Sequence, residues 1–416
     1  MSAQIGNLAI LGATGSVGTQ ALSVVRENPG AYSVQVLTAR RNLELLIEQA
    51  KEFRPALIGV ADAASADVVR AALGGAVDIA IGEEGLETAA VHPSVHTVLC
   101  AVVGFAGLRP TLAAIKANKH IALANKESLV AGGDLVNRAL EKSTSAIVPV
   151  DSEHSSVFQC LLSRTCQGQP RRIILTASGG PFLDLSREEV YHAPPERAVR
   201  HPRWNMGPKI SVDSASLMNK GLEVIEAAKL FNLPGERIEV LIHPETIVHG
   251  LAEYDDGTML AALYQTDMRV PIAFALSYLR SDDPKQRPGT QVTASGASFL
   301  DLAKQGSLHF RAPDTERFPA LALCYEALDR GGDMPTVLNA ANEIAVESYL
   351  GVCSSSAICF GQISEVVARV MARREQPKAL ESVNDIVRAD AWAREQASNV
   401  IAELAVRQVE SRLALT

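Results

Sequence analysis

Short β-branched runs alternate with stretches whose apolar residues recur every three to four positions through the first 150 residues. Runs at 8–11, 33–39, 57–60, 79–81, 98–103, 120–124 and 147–150 predict strands, and segments 16–27, 43–53 and 109–117 predict helices between them. Strand and helix in turn predict a parallel sheet covered on both faces. From 151 to 283 the rhythm changes: strands at 172–176, 239–242, 247–254 and 258–263, with helices near 155–162 and 214–231, predict a mixed domain. Asp255-Asp256-Gly257 marks a hairpin turn within it. Residues 284–315 carry Pro284, Pro288, Gly289, Gly296, Gly306 and Pro313 without periodicity, the pattern of a surface linker. Helical spacing returns at 318–330, 334–350, 361–372 and 385–413, with Pro335 suited to a first turn, and predicts a small bundle over 316–416. The expected fold class is α/β: a doubly wound, Rossmann-like parallel-sheet domain over 1–150, a central α+β domain over 151–283, a linker, and a C-terminal helix bundle.

Composition narrows the function. At 47% hydrophobic and 21% charged over 416 residues, the chain can build several cores. A net charge of −8 without a basic stripe argues against a nucleic-acid partner. Apolar runs fall short of the ~18 residues a membrane span needs. The first residues lack a basic stretch and a cleavage site, which predicts a cytoplasmic protein. Six Cys form no C-x-x-C pair, so reduced thiols are expected rather than disulfides or zinc.

The first strand runs into Gly12-Ala13-Thr14-Gly15-Ser16-Val17-Gly18 and then a helix. Glycines at this spacing let backbone approach a pyrophosphate, and a helix N-terminus offers it bare N–H groups. A purely structural turn is the alternative. At the end of the second strand, where an acidic residue would hold the ribose of NAD, stand Arg40-Arg41-Asn42. Two guanidinium groups there fit a 2′-phosphate and predict NADP(H), against a solvated basic loop.

Asp151-Ser152-Glu153-His154 follows the last strand of the first domain, and two carboxylates at i and i+2 suit a hard cation once a third joins. The segment 211–223 is expected to run from a strand end through Ser214 as an N-cap into a helix on which Asn219, Lys220 and Glu223 share a face. Asp151, Glu153 and Glu223 would make an all-oxygen set for Mg²⁺ or Mn²⁺. Ser178, Ser214, Asn219 and Lys220 would make a phosphate pocket, although capping alone also explains Ser214. The loop His201-Pro202-Arg203-Trp204-Asn205-Met206-Gly207-Pro208 is a candidate lid, with a buried anchoring Trp204 as the alternative.

Taken together, the blocks GATGSVG (12–18), LANKESLV (123–130), PVDSEHSSVFQ (149–159), SGGPF (178–182), HPRWNMG (201–207), KISVDSASLMNKGLEVIEA (209–227), the segment 242–263, DMRVPI (267–272) and LNAANEIAV (338–346) span nearly the whole chain. Through them the sequence resembles the 1-deoxy-D-xylulose 5-phosphate reductoisomerase family. The resemblance implies rearrangement and NADPH-dependent reduction of that pentulose phosphate to 2-C-methyl-D-erythritol 4-phosphate, in the non-mevalonate isoprenoid pathway. It implies Mn²⁺ or Mg²⁺ on Asp151, Glu153 and Glu223, with Lys126 and His201 completing the catalytic set. Substrate oxygens fall to Lys126, Ser152, Glu153 and His201, beside Glu223, and the phosphate to Ser178, Ser214, Asn219 and Lys220. NADPH falls to Thr14, Gly15, Ser16, Val17, Arg40, Arg41, Asn42, Asn125, Glu127 and Gly207. The resemblance also implies a homodimer formed through the central sheet. Ala177, Arg40, Pro208 and Tyr264-Gln265-Thr266 depart from the family's usual residues.

Overall fold

A computed structural model describes residues 6–75, 77–163, 169–204, 206–280, 296–351 and 358–413, with side chains of the last helix to residue 406. The chain divides into two compact units: Met1–Ser128 with Val136–Gly168 and Ala261–Asp301, and Leu129–Leu135 with Gln169–Leu260 and Leu302–Thr416.

The first unit is built on seven parallel strands: β1 (Gly6–Leu11), β2 (Tyr32–Ala39), β3 (Leu57–Val60), β4 (Asp78–Ile81), β5 (Thr97–Cys100), β6 (His120–Leu123) and β7 (Ile147–Pro149). Their order is β4-β3-β2-β1-β5-β6-β7, so the winding reverses between β1 and β5. At such a reversal the loops leaving the strand ends diverge and open a crevice. Helix Ser16–Glu27 buries Gly18, Ala21, Leu22 and Val25, a stripe at helical spacing that seats it on the sheet. Leu8, Ile10, Leu37, Leu99 and Val148 form the core with Ile272 and Leu276 of helix Arg269–Tyr278. The hydrophobic pattern did not reveal this last helix; its Pro271 lies in the first turn, where a missing N–H costs nothing.

The strand expected at 98–103 stops at Cys100. Gly104 takes φ +74, and the Asn125 amide draws the carbonyls of Val102 (2.9 Å) and Gly104 (2.8 Å) out of any ladder. Helices Ala63–Leu73, Gly82–Ala90 and Glu127–Leu140 complete the crossovers.

A second sheet has the order β11-β10-β8-β9, with β8 (Arg172–Ala177) parallel to β9 (Ile238–Ile242) and antiparallel to β10 (Val248–Glu253). β11 (Met259–Leu263) follows β10 through the predicted turn, where Gly257 has φ +82 and donates to the Tyr254 carbonyl at 3.0 Å. The expected strand end and N-cap at 211–214 are overturned. Helices Pro208–Ala215 and Met218–Phe231 meet at Leu217, whose φ is +62, so Ser214 lies inside the first helix. A left-handed leucine costs about 1 kcal/mol, and burial of its side chain to 3% exposure holds it there.

Helices Ala320–Arg330, Met334–Tyr349, Phe360–Arg373 and Val383–Leu413 form the predicted bundle. Gly221 lets helix Met218–Phe231 approach Ala320–Arg330: a Cβ there would come within 2.7 Å of Cys324 Cβ. Of the expected linker, 284–295 lies outside the described residues; the rest holds helix Leu302–Gln305 and an Arg311–Ile242 bridge. Cys100, Cys160 and Cys324 are buried free thiols and Cys359 is partly buried, while Cys166 and Cys353 lie outside the described residues. Among the described residues no helix is long and apolar enough to cross a membrane.

Candidate functional site

β1 delivers the glycine turn to the carboxyl edge of its sheet. Gly12 takes φ +89, and a Cβ on it would stand 2.7 Å from the Ala101 carbonyl oxygen; a Cβ on Gly18 would overlap the Gly12 carbonyl. The turn is pinned from outside: Gly12 and Ala13 N–H groups reach Thr38 O (3.2 and 2.8 Å), and Gln49 donates to Ala13 O (3.0 Å). Gly15 caps helix Ser16–Glu27 without a side-chain acceptor, and the first turn carries no acid. Gly15 and Ser16 are exposed, Thr14 and Val17 partly buried. A backbone cradle that a methyl group would fill, ending in bare N–H groups, fits a pyrophosphate.

One strand over, β2 ends at the exposed Arg40, Arg41 and Asn42. Thr14 Oγ1 donates to the Arg41 carbonyl at 3.2 Å and ties the two loops together. Asn42, at φ 56, also caps helix Leu43–Phe53 by accepting from Leu45 N at 3.2 Å.

At the end of β6, Asn125 and Glu127 are 1% and 6% exposed, and Asn125 Nδ2 donates to Glu127 Oε2 at 2.9 Å. Asn125 Oδ1 accepts from Ser128 N at 3.1 Å, so this side chain stitches the β5 and β6 loops together. Between them, Lys126 Nζ reaches Asp151 Oδ2 at 3.0 Å from the end of β7. Ser152 Oγ donates to Glu153 Oε2, and His154 Nδ1 lies 3.4 Å from Asp151 Oδ1. Asp151, Ser152 and Glu153 open helix Ser152–Leu162, whose N-terminal partial charge favours carboxylates. Two such carboxylates offer oxygen only, the chemistry of Mg²⁺ or Mn²⁺ sites.

In the second unit, Ser178 Oγ and His201 Nε2 are 2.9 Å apart. His201 Nδ1 accepts from Arg203 N (3.2 Å) and Trp204 N (2.9 Å), so the proton sits on Nε2 and the ring donates to Ser178. Burial pushes this imidazole down to about 4. Gly180, at φ +68, lets the Ser178 loop approach Ser214, since a Cβ there would stand 2.9 Å from the Ser214 carbonyl. Helix Met218–Phe231 presents Asn219, Lys220 and Glu223 on one face: Asn219 Nδ2 donates to Glu223 Oε1 (2.5 Å) and the Lys220 ammonium pairs with Oε2. Trp204 and Met206 are partly buried, Trp204 beside His249 with ring centroids 6.4 Å apart, and Gly207 is exposed at the start of helix Pro208–Ala215. Asn205 lies outside the described residues.

Three neighbours lie in or beside the quoted motifs without a role assigned to them. His154 follows Asp151 at i+3, a spacing that signals a contact at a helix start. Asp213 binds Lys209 Nζ and Asn342 Nδ2, each at 2.8 Å, anchoring the helix that carries Ser214. Tyr264 meets helix Ser152–Leu162 from 112 residues away, with no local signal.

With the geometry established, comparison with known proteins is consistent along the chain. A family model described as 1-deoxy-D-xylulose 5-phosphate reductoisomerase matches residues 8–133, its C-terminal-domain model matches 147–231, and a DXP reductoisomerase C-terminal-domain model matches 263–396. Similar proteins of that name come from Chlorobium limicola, 48% identical with 95% of this chain and 99% of the relative covered, and from Ralstonia nicotianae, 47% identical with 95% and 98% covered. The Zymomonas mobilis enzyme in complex with NADPH is similar at TM-score 0.86 and 40% identity, over 96% of this chain and 99% of that one. A DOX-P reductoisomerase in complex with NADPH, fosmidomycin and magnesium is similar at TM-score 0.88 and 39% identity, with the same shares covered. On this full-length agreement, the chain belongs to the 1-deoxy-D-xylulose 5-phosphate reductoisomerase family.

Proposed function

We propose that the carboxyl edge of the seven-stranded sheet lays out the reaction strand by strand. The chain is an NADP-dependent oxidoreductase that rearranges and reduces 1-deoxy-D-xylulose 5-phosphate to 2-C-methyl-D-erythritol 4-phosphate, with a divalent metal, for isoprenoid synthesis. The observation that carries our assignment of residues is the strand order itself. Arg40 and Arg41 end β2, the glycine turn ends β1, Asn125 and Lys126 end β6, and Asp151 and Glu153 follow β7. At ~4.8 Å between strands, β1 and β7 stand about 14 Å apart. Arg40 and Arg41 bind the 2′-phosphate, and Thr14, Gly15, Ser16 and Val17 the pyrophosphate. Asn42, Asn125, Glu127 and Gly207 complete the cofactor's contacts.

When bound, NADPH supplies the hydride and Mn²⁺ or Mg²⁺ the Lewis acidity that the two steps need. Asp151, Glu153 and Glu223 hold the ion. Lys126, held by Asp151, brings its N–H donors beside the substrate oxygens, which Ser152, Glu153 and His201 orient. A neutral His201 gives the site a hydrogen-bond donor without a second positive charge. Ser178, Ser214, Asn219 and Lys220 hold the phosphate, whose binding energy positions the reacting end. The loop bearing Trp204 and Met206 excludes water once closed.

In this reading residues 1–150 form the NADPH-binding domain, 151–283 the catalytic and dimerisation domain, 284–315 the linker and 316–416 the helical domain. The protein is a cytoplasmic homodimer; the exposed Met259 on the edge strand β11 supports a contact there. An NADPH-oxidation assay with the pentulose phosphate, with and without divalent ion, tests the account. Oxidation only with both, yielding the branched tetritol phosphate, is expected; an unrearranged product or chelator-resistant turnover would contradict it.

A further inference from the structure

The run Tyr264-Gln265-Thr266 has no part in the site as drawn, yet Tyr264 reaches the acidic turn of its own unit. Its hydroxyl donates to the Ser152 carbonyl at 2.9 Å and accepts from Ser156 Oγ at 3.3 Å. Ser152 and Ser156 are one helical turn apart on the face of helix Ser152–Leu162 that meets the segment after β11. Farther along, Phe158 packs edge-on against Phe274 and Tyr278, with centroids 6.2 and 5.4 Å apart, so the contact runs along the helix.

The Ser152 carbonyl belongs to the peptide that joins Ser152 to Glu153, with Asp151 one residue before. A planar peptide held at its oxygen has its rotation restricted, and with it the directions in which Asp151 and Glu153 leave the backbone. We infer that Tyr264 is a positioning residue for these two carboxylates, acting through the Ser152 carbonyl to keep both oxygens aimed at one cation. The inference rests on the proposed metal assignment.

Full-length protein and Mn²⁺ alone, with bound ion measured by electron paramagnetic resonance, test it. Asp151→Asn should abolish Mn²⁺ binding. Tyr264→Phe, which removes one oxygen and keeps the ring, should weaken it about tenfold, the scale of a lost outer hydrogen bond at a metal site. NADPH affinity should stay at the wild-type value, and saturating Mn²⁺ should restore turnover. Ser156→Ala removes the Ser156 hydroxyl's bond to Tyr264 and spares the carbonyl, so its Mn²⁺ affinity should stay near wild type.

If Asp151→Asn still binds Mn²⁺, the metal assignment fails and this inference falls with it. If Asp151→Asn loses the ion but Tyr264→Phe binds it like wild type, only the role of Tyr264 is overturned. Equal losses in Tyr264→Phe and Ser156→Ala, or a parallel loss of NADPH affinity, would mark general loosening and overturn it too.

Discussion

His201 donates from Nε2 to the Ser178 hydroxyl across 2.9 Å, because two backbone N–H groups of its own loop occupy Nδ1. Protonating Nδ1 would turn that acceptor into a donor facing two donors. With its pKa held down to about 4 by burial, His201 stays neutral where the unfolded chain, near 6.5, begins to charge. Its share of stability is therefore full above about pH 7 and lost as pH falls from 6.5 through 4. The melting-temperature gap between wild type and His201→Gln should be flat above pH 7 and close across that window. A gap independent of pH would contradict the assignment.

Glu223 is tied to Asn219 and to Lys220, which is 4% exposed. Glu223→Gln should cut turnover at least ~100-fold, about 2.7 kcal/mol of transition-state stabilisation. It should also lower stability by about 3 kcal/mol, since Lys220 would keep a buried charge without its carboxylate. NADPH binding by the folded fraction, followed by fluorescence, should persist. Unchanged turnover would refute the ligand role.

Gly18→Ala places a methyl group on the Gly12 carbonyl and within 2.7 Å of Ala13 Cα. Backbone cannot give way as a side chain can, so the cost should be about 1–3 kcal/mol in stability. NADPH affinity should drop because the turn itself is displaced. Calorimetry that found both quantities unchanged would show that the turn does not need this glycine.

Arg40 and Arg41 are exposed, so replacing both by Ala should leave the melting temperature unchanged. NADPH should weaken far more than NADH in direct titrations. Equal weakening of the two cofactors would remove the 2′-phosphate argument.

What the sequence made legible was local. Gly12 and Gly18 announce a tight turn, the first because its φ of +89 is left-handed and the second because a Cβ would strike the Gly12 carbonyl, and Arg40 with Arg41 stands where β2 must end. The alternation of strand and helix carried the parallel sheet, although helices such as Glu127–Leu140 were hidden by the pair Gly132-Gly133, which looks like a break, whereas the helix only kinks, at Gly132. The break at Leu217 was illegible because leucine seldom adopts positive φ, and only its burial explains it there. That the Asn125 amide also reaches Val102, Gly104 and Glu127 was not legible, because only the folded loops bring those partners together. Tyr264 and Asn342 act across 112 and 129 residues, beyond any spacing rule.

The shared cation is the central claim, and anomalous diffraction from crystals soaked in Mn²⁺ tests it most directly. The account predicts one manganese peak about 2.1 Å from carboxylate oxygens of Asp151, Glu153 and Glu223 together, as small hard cations keep to oxygen. A peak held by other residues, or one that omits any of these three carboxylates, would contradict it.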